Sequence, residues 1–210
     1  MAERGILMSA PMVRAILSGS KSQTRRVVKP QPDAIHGGEP YWHVGGYRAW
    51  RHRGVTDVLR MGGNELVCPL GVPGDRLWVR ESFSGSIAYE RHGYPLREWG
   101  NKVWYWADGI PARGDWTKPR PSIHMPRSLS RITLEITDIR VARLQGIRDA
   151  DAVAEGVQVD ELGHAIHEGD PIAWGGARGA YSMLWDRLNG DGSWEANPWV
   201  WVISFRKLPA

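Results

Sequence analysis

A short polar segment near the N-terminus carries residue types that could perform hydrolysis or bind an anion. Lys21, Thr24, Arg25 and Arg26 fall within six residues. A lysine can act as a base, a threonine hydroxyl as a nucleophile, and a guanidinium can hold an anion. The alternative interpretation is a basic turn at a helix C-terminus, where cations are compatible with the helix dipole. The spacing alone leaves both interpretations open.

The familiar signatures of other chemistries are absent from the sequence. The segment Gly19–Ser22 lacks the upstream glycine and the Gly-Lys pair of a Walker A phosphate loop, and no dinucleotide-binding or zinc-protease motif occurs. His164 and His167 stand next to Glu168, but no helical pattern holds them together, so a solvated loop is preferred to a metal site. The single cysteine, Cys68, is interpreted as a small buried hydrophobe. We expect neither a metal nor a cofactor.

The polar segment directly follows a predicted helix. Residues 11–18 place their apolar side chains on one helical face, and Gly19 can cap the C-terminus. The side chains after this cap therefore leave a rigid element. The next predicted element is a short strand at 27–28. Residues 31–73, rich in Gly, His and Arg, are expected to form a long loop region with one short strand near 65–68.

A second pair of candidate charges lies on a predicted strand over residues 76–81. Alternation along this strand places Arg80 and Glu81 on opposite faces. Glu81 shares its face with the apolar Leu77 and Val79. We therefore expect either a buried, paired carboxylate, which is the favoured interpretation, or a group of a binding pocket. Arg80 and Glu81 remain candidate substrate-binding residues.

The C-terminal half supplies a further candidate carboxylate. A long strand is predicted over 131–144, and its apolar alternation slips by one residue between Ile136 and Ile139, which indicates a bulge or bend. A short helix capped by Asp149 then runs through Glu155. The remaining expectations are a loop at 157–176, an amphipathic helix over 177–188 and a strand over 199–205 that is apolar on both faces.

Composition limits the class of protein. The chain has 210 residues, of which 42% are hydrophobic and 24% charged, which is typical of a folded domain rather than a disordered chain. No run of eighteen apolar residues occurs, and the N-terminal apolar stretch is too short for a secretory signal. We therefore expect a cytoplasmic protein with no membrane partner; protein partners stay unknown.

Charge and aromatic content favour an anionic partner with stackable bases. Residues 1–60 hold ten Lys/Arg and four Asp/Glu, and the chain has 12 Trp but only 2 Phe. Such a combination suits RNA, single-stranded nucleic acid or a nucleotide. The alternative, favoured by composition alone, is a solubilising surface with tryptophan in the core.

The order of elements predicts an α+β fold, most simply a small mixed β-barrel flanked by helices. We expect one domain over residues 1–210, with Trp-rich insertions at about 31–70 and 84–127. The tryptophans expected in the core are Trp78, Trp185, Trp199 and Trp201. Six further tryptophans lie in the insertions: Trp42, Trp50, Trp99, Trp104, Trp106 and Trp116. They could stack nucleic-acid bases or, as is more common, pack the insertions against the barrel.

Several of these segments resemble the ASCH domain, a branch of the PUA-like superfamily. The resemblance rests on Ile16–Arg26, on the strand Gly74–Glu81 with its G-D-x-L-x-V-R pattern, and on the strand and helix that end in Glu155-Gly156. The last strand is also similar, so matching segments cover about half of the chain. Longer proteins of this type, with Trp-rich insertions, are common in bacteriophages and prophages. The resemblance implies a PUA-like pseudo-barrel whose cleft is open to RNA, nucleotides or modified bases.

The resemblance also implies residue roles. One bacterial branch hydrolyses the acyl amide of N4-acetylcytidine with a Lys, a Thr and a Glu, which fall on Lys21, Thr24 and Glu155; its Arg falls on Arg26. Lys21 could accept the Thr24 proton only if its pKa were lowered by several units, as burial and a nearby cation would do. A Lys21–Glu155 ion pair would instead raise that pKa. The alternatives are a non-catalytic RNA or modified-DNA reader, a metal-independent ribonuclease and a phage regulator that acts through protein contacts.

Overall fold

The computed structural model describes residues 1–32, 34–36, 39–42, 47–48, 59–61, 64–66, 68–100, 102–160, 164–167, 170–172 and 176–209. The strands are β1 (Glu3–Leu7), β2 (Gln23–Val27), β3 (Ala34–His36), β4 (Glu39–Trp42), β5 (Tyr47–Arg48), β6 (Leu59–Met61), β7 (Asn64–Leu66), β8 (Arg76–Arg80), β9 (Phe83–Gly85), β10 (Val103–Tyr105), β11 (Thr133–Arg143), β12 (Gln158–Val159), β13 (Ala165–His167), β14 (Asp170–Ile172) and β15 (Trp199–Lys207). The α-helices are α1 (Ala10–Ser18), α2 (Ile87–Arg91), α3 (Asp149–Ala154) and α4 (Gly176–Asn189). The predicted α+β class is therefore confirmed.

The predicted long strands belong to a five-stranded sheet with the order β1-β8-β11-β15-β2. β1 runs parallel to β8, β8 is antiparallel to β11, and β15 is antiparallel to β2. β15 lies between two other strands, as its two apolar faces predict, and its residues 200–203 are all buried. β2, the strand that follows the Lys21 segment, is the last strand in this order.

Two segments that were expected to be loops contain strands. β3 to β7 form a second five-stranded sheet in sequence order, with antiparallel neighbours, and β12 to β14 form a three-stranded sheet. These strands have two to four residues each. Strands this short leave no sustained alternation for a sequence pattern to reveal.

The described chain divides into two compact units. Unit 1 comprises Met1–Gly19, Asp75–Glu135 and Arg206–Ala210, and unit 2 comprises Ser20–Gly74 and Ile136–Phe205. In unit 1, α1 ends as predicted at Gly19, whose φ of 83° lies in the left-handed region that glycine adopts without strain. A core cluster of this unit contains Phe83, Trp99, Val103, Met125 and Leu129. Trp99 packs so closely on Gly85 that a Cβ there would lie 1.8 Å from its ring.

Unit 2 contains another core cluster and the candidate site. Its buried members are Leu144, Ile147, Ala152, Ala177, Tyr181, Trp185, Trp194, Val200 and Val202. The slip predicted in β11 is confirmed, because Thr137 and Asp138 are both exposed between the buried Ile136 and Ile139. None of the helices in the described ranges has the length and apolar character needed to cross a membrane.

Candidate functional site

The Lys21 segment continues into β2 rather than forming a loose turn. The sequence predicted a strand only at 27–28, whereas the strand observed is Gln23–Val27. Ser22, which precedes it, is held by hydrogen bonds from its N–H to Ala154 O and from Phe205 N–H to its own carbonyl. This segment is polar in sequence, yet Lys21, Thr24 and Arg25 are all buried. The charge partners of these residues must therefore come from elsewhere in the chain.

Lys21 is the most completely enclosed charge of the site, with a side chain that is 0% exposed. Its Nζ donates to Gln23 O at 2.7 Å, to Glu155 O at 2.6 Å and to Glu155 Oε2 at 2.9 Å. An ammonium has three protons, so each proton has a protein acceptor. Burial lowers the pKa of Lys21 below its ordinary value, and this effect outweighs the opposing charge and hydrogen bond of Glu155.

Glu155 is placed by the end of α3. It is the residue that follows the last helical turn, and Gly156 next to it has a φ of 97°. The Glu155 N–H donates to Asp151 O at 2.9 Å, which ties the residue to the helix. Its side chain is 3% exposed, and Oε1 accepts from Arg25 Nη1 at 3.2 Å. One buried carboxylate therefore faces two buried cations, one on each oxygen.

Arg25 links Glu155 to its surroundings. Its Nη1 also donates to Gln23 Oε1 at 2.8 Å, and its Nη2 lies 3.8 Å from Asp151 Oδ2. The guanidinium stands 5.9 Å from the centre of the Tyr181 ring. Among the described residues, Arg25 Nε has no hydrogen-bond partner. Burial raises the pKa of Tyr181, with a further contribution from the Glu155 charge, so this phenol stays neutral.

Thr24 and Arg26 occupy the alternate positions of β2. Thr24 is 1% exposed and its Cα pairs with that of Ile203 in β15. Alternation along the strand directs Thr24 to the face opposite Arg25. The hydrogen bonds of Lys21 go to Gln23 and Glu155, not to the Thr24 hydroxyl. Burial lowers the pKa of the half-buried Arg26, while the Glu155 charge opposes that shift.

Arg80 and Glu81 belong to unit 1, and their partners lie in the same unit. Glu81 is 1% exposed and accepts two hydrogen bonds from Arg131, at 2.9 and 3.0 Å. Arg131 also donates to both oxygens of Asp108, at 2.7 and 2.8 Å. Burial raises the pKa of Glu81 although Arg131 opposes the shift. The favoured interpretation of Glu81 as a buried, paired carboxylate is confirmed.

Arg80 is engaged on the other face of β8. Its guanidinium lies 5.2 Å from the Trp78 ring, and Nη2 donates to Ile123 O. A substrate-binding role for Arg80 and Glu81 stays a prediction.

The insertion tryptophans pack within unit 1 where they are described. Trp99 is buried, and the Trp104 and Trp116 ring centres lie 5.9 Å apart. Trp106 Nε1 donates to Ser84 Oγ at 2.9 Å. The predicted core positions Trp185 and Trp201 are buried, whereas Trp78 and Trp199 are half-buried. The side chains of Trp42 and Trp50, for which base stacking was considered, lie outside the described residues.

Metal ligation has no support in the described ranges, where no group of three or more His, Cys, Asp or Glu side chains could hold a metal ion. His164 is exposed and its Nδ1 lies 3.1 Å from Asp160 Oδ2. The side chain of His167 and the whole of Glu168 lie outside the described residues. Cys68 is buried as expected.

Sequence reasoning missed three members of the site. Gln23 lies between the candidates Lys21 and Thr24 but was not singled out. Asp151 is one of several acids in a short predicted helix, and Tyr181 lies within the amphipathic helix predicted over 177–188. Asp151 and Tyr181 approach Arg25 from distant parts of the sequence, and no local pattern reports such contacts. The one available signal was the run of polar residues in a segment that needs partners once it is buried.

Comparisons with known proteins gave no relatives. A scan against models of protein families, a search of curated proteins and a search of solved structures each found no match.

Proposed function

We propose that this chain is an ASCH-type protein of the PUA-like superfamily that hydrolyses the exocyclic amide of an N4-acylated cytidine. The sequence motifs around Lys21, Asp75 and Glu155 support the family assignment. A five-stranded mixed sheet with α1 preceding β2 in the chain supports a PUA-like barrel as the finer description of the fold. The basic N-terminal third supports a nucleotide or single-stranded nucleic acid as the partner.

The observation that carries the proposal is the 2.9 Å hydrogen bond between Lys21 Nζ and Glu155 Oε2, made where both side chains are withdrawn from water. A buried ion pair is weak support for stability, because desolvation offsets much of the attraction between the charges. A lysine whose pKa is depressed by burial is, by contrast, what a general base at neutral pH requires. The pair therefore suits proton transfer better than it suits structural support.

The proposed reaction uses this pair to move two protons. Transfer of one proton along the hydrogen bond leaves Lys21 as a neutral amine and Glu155 as a carboxylic acid. The Thr24 hydroxyl then attacks the acyl carbon and gives its proton to Lys21, while Glu155 gives its proton to the departing N4 of cytidine. The C–N bond breaks, an acyl ester forms on Thr24 and the ion pair is restored. Water then attacks the ester and releases the acid and the Thr24 hydroxyl.

A second candidate function is a non-catalytic reader of RNA or of a modified base. Two observations favour it. All three Lys21 protons are donated to protein oxygens, and alternation along β2 directs Thr24 away from the Arg25 face. A reader needs no nucleophile, and the half-buried Arg26, rather than Lys21, would contact a phosphate or the edge of a base.

The test is conversion of N4-acetylcytidine to cytidine, followed by chromatography. We expect turnover by the wild type and its loss, by about 100-fold or more, in Lys21→Met and in Thr24→Val, because each removes a group that reacts. Thr24→Ser is the matched control: it keeps the hydroxyl and should retain measurable turnover. Full activity in both Lys21→Met and Thr24→Val would refute the assigned roles. Binding without product in the wild type would favour the reader.

A further inference from the structure

Three guanidinium groups surround the carboxylate of Asp151 in unit 2. Arg140 Nη2 lies 3.4 Å from Oδ1, Arg148 Nε lies 3.5 Å from Oδ2, and Arg25 Nη2 lies 3.8 Å from the same Oδ2. These arginines come from β11, from the residue before α3 and from β2. Three elements of the fold therefore bring cationic groups to one point.

None of the three guanidiniums is tightly engaged by Asp151. Good charge-assisted hydrogen bonds have donor–acceptor distances of about 2.7–2.9 Å. Elsewhere in the described chain, Arg206 reaches Glu135 at 2.9 and 3.0 Å, and Arg127 reaches Glu3 at 2.9 Å with two nitrogens. The contacts to Asp151 are longer by about half an ångström or more. The three arginines therefore keep donors available for a stronger acceptor.

The cluster also carries an excess of positive charge. Burial raises the pKa of Asp151, but the Arg148 N–H and the charges of Arg25 and Arg140 outweigh it and hold the pKa below its ordinary value. Asp151 is therefore ionised at neutral pH, and one negative charge faces three cations. The neighbouring carboxylate of Asp149 accepts a hydrogen bond from the Arg178 N–H in the first turn of α4, at 2.8 Å. Glu155 offsets part of the Arg25 charge but is itself shared with Lys21.

Accessibility differs across the cluster in the way a binding site requires. The Arg148 and Arg140 side chains are 80% and 39% exposed, whereas Asp151 is 13% and Arg25 is 2% exposed. Arg25 Nε is buried and, among the described residues, has no hydrogen-bond partner. The exposed side chains of Arg140 and Arg148 thus lie on the solvent side of the buried Arg25 guanidinium. An anion could reach the outer two without disturbing the core.

We propose that Arg140 and Arg148 form a binding site for a phosphate group, with the buried charge of Arg25 behind them. A guanidinium offers two parallel donors that match phosphate oxygens, and several guanidiniums around one point are the usual means of holding such a group. Asp151 acts as the internal anion that keeps the arginines together when phosphate is absent. The site goes beyond the proposed hydrolysis, because phosphate binding needs neither Thr24 nor turnover.

The test is calorimetric titration with inorganic phosphate at low ionic strength. We expect binding by the wild type and a loss in affinity of at least about tenfold in the double variant Arg140→Gln/Arg148→Gln, since it removes two charge-assisted contacts. Arg97→Gln/Arg206→Gln is the matched control: these side chains are 78% and 65% exposed in unit 1, and the change in net charge is the same. We expect a change of less than about twofold in this control.

Asp151→Asn gives a second, independent outcome. Asparagine keeps an oxygen to accept the Arg148 N–H but removes the competing negative charge. Phosphate should therefore bind more tightly than to the wild type, whereas a purely structural cluster would show no gain in phosphate affinity. Circular dichroism checks that each variant is folded.

Cytidine 5′-monophosphate and a short single-stranded RNA, titrated beside inorganic phosphate, identify whether the site takes free phosphate, a monoester or a diester. Binding of any of the three that is lost in Arg140→Gln/Arg148→Gln supports the proposal. Absence of binding by all three, or equal losses in the test and control variants, would overturn it. Failure of the hydrolysis assay would leave this result unaffected.

Discussion

Replacing Glu155 with glutamine tests the buried pair through the stability of the fold. Glu155→Gln keeps the volume and one oxygen acceptor but removes the charge that lies 2.9 Å from Lys21 Nζ and 3.2 Å from Arg25 Nη1. The two cations have side chains that are 0% and 2% exposed, so water cannot replace the lost carboxylate. Breaking a buried ion pair costs about 3–5 kcal/mol. We expect the free energy of unfolding in urea at neutral pH to fall by about that amount.

The loss should become smaller as the pH rises. Burial holds the pKa of Lys21 below its ordinary value, and Glu155 opposes that shift, so the variant has a still lower Lys21 pKa. Above its pKa in the folded state, Lys21 is neutral when folded but protonated when unfolded, up to about pH 10.4. The unfolded state then binds more protons, and stability rises with pH by at most about 1.4 kcal/mol per unit. The variant enters this interval at a lower pH than the wild type.

The assay is therefore urea unfolding at about pH 7 and about pH 9 for both proteins. The double variant Lys21→Met/Glu155→Gln also removes the Lys21 ammonium, which has no carboxylate partner in Glu155→Gln. It should therefore be more stable than Glu155→Gln at neutral pH. Glu98→Gln, at an exposed pair with 3.8 Å between Arg97 and Glu98, should change stability by less than about 0.5 kcal/mol. A loss below about 1 kcal/mol in Glu155→Gln, unchanged by pH, would refute the reasoning.

Two further predictions concern unit 1. Burial raises the pKa of Glu81, so between the unfolded and folded pKa values the folded state binds a proton that the unfolded state has lost. The free energy of unfolding therefore falls as pH rises above the unfolded carboxyl pKa. Glu81→Gln should flatten that fall, measured by urea unfolding between about pH 4 and 7. Gly85→Ala would place a Cβ 1.8 Å from Trp99, so we expect a loss of about 3 kcal/mol or more in thermal unfolding and a changed near-ultraviolet tryptophan spectrum. Gly146→Ala is its control, because a Cβ added there has no atom within 4 Å. Its free energy of unfolding should stay within about 0.5 kcal/mol of the wild-type value.

The parts of the fold that could be predicted from the sequence are those with local signals. The apolar face of α1 and the glycine after it defined one helix, and alternation along β8 placed Glu81 inside the protein. Glu155 was found at the end of α3 because a glycine follows it. Each of these features depends on neighbours within a few residues, which a single sequence displays directly.

The parts that could not be predicted depend on contacts between distant segments. β2 has the sequence Gln-Thr-Arg-Arg-Val, which shows no apolar alternation, and it is buried because Glu155 and the end of α3 supply its counter-charge. The sequence left open whether Lys21 forms an ion pair or acts as a free base. In the structure it forms the pair and still has a lowered pKa, because burial outweighs the attraction to Glu155. That balance depends on exposure, which no spacing of residues reveals.

The most direct test of the central claim compares catalysis with the titration of Lys21. The rate of N4-acetylcytidine hydrolysis is measured across pH, and the Lys21 amine is titrated in the same protein by nitrogen-15 nuclear magnetic resonance, with Lys21→Met to assign its signal. We predict that kcat/KM falls as pH rises along a curve whose midpoint coincides with that titration, below the ordinary pKa of lysine, because the pair has then lost the proton that Glu155 gives to N4. Absence of cytidine at every pH, or a rate that does not follow the titration of Lys21, would contradict the account.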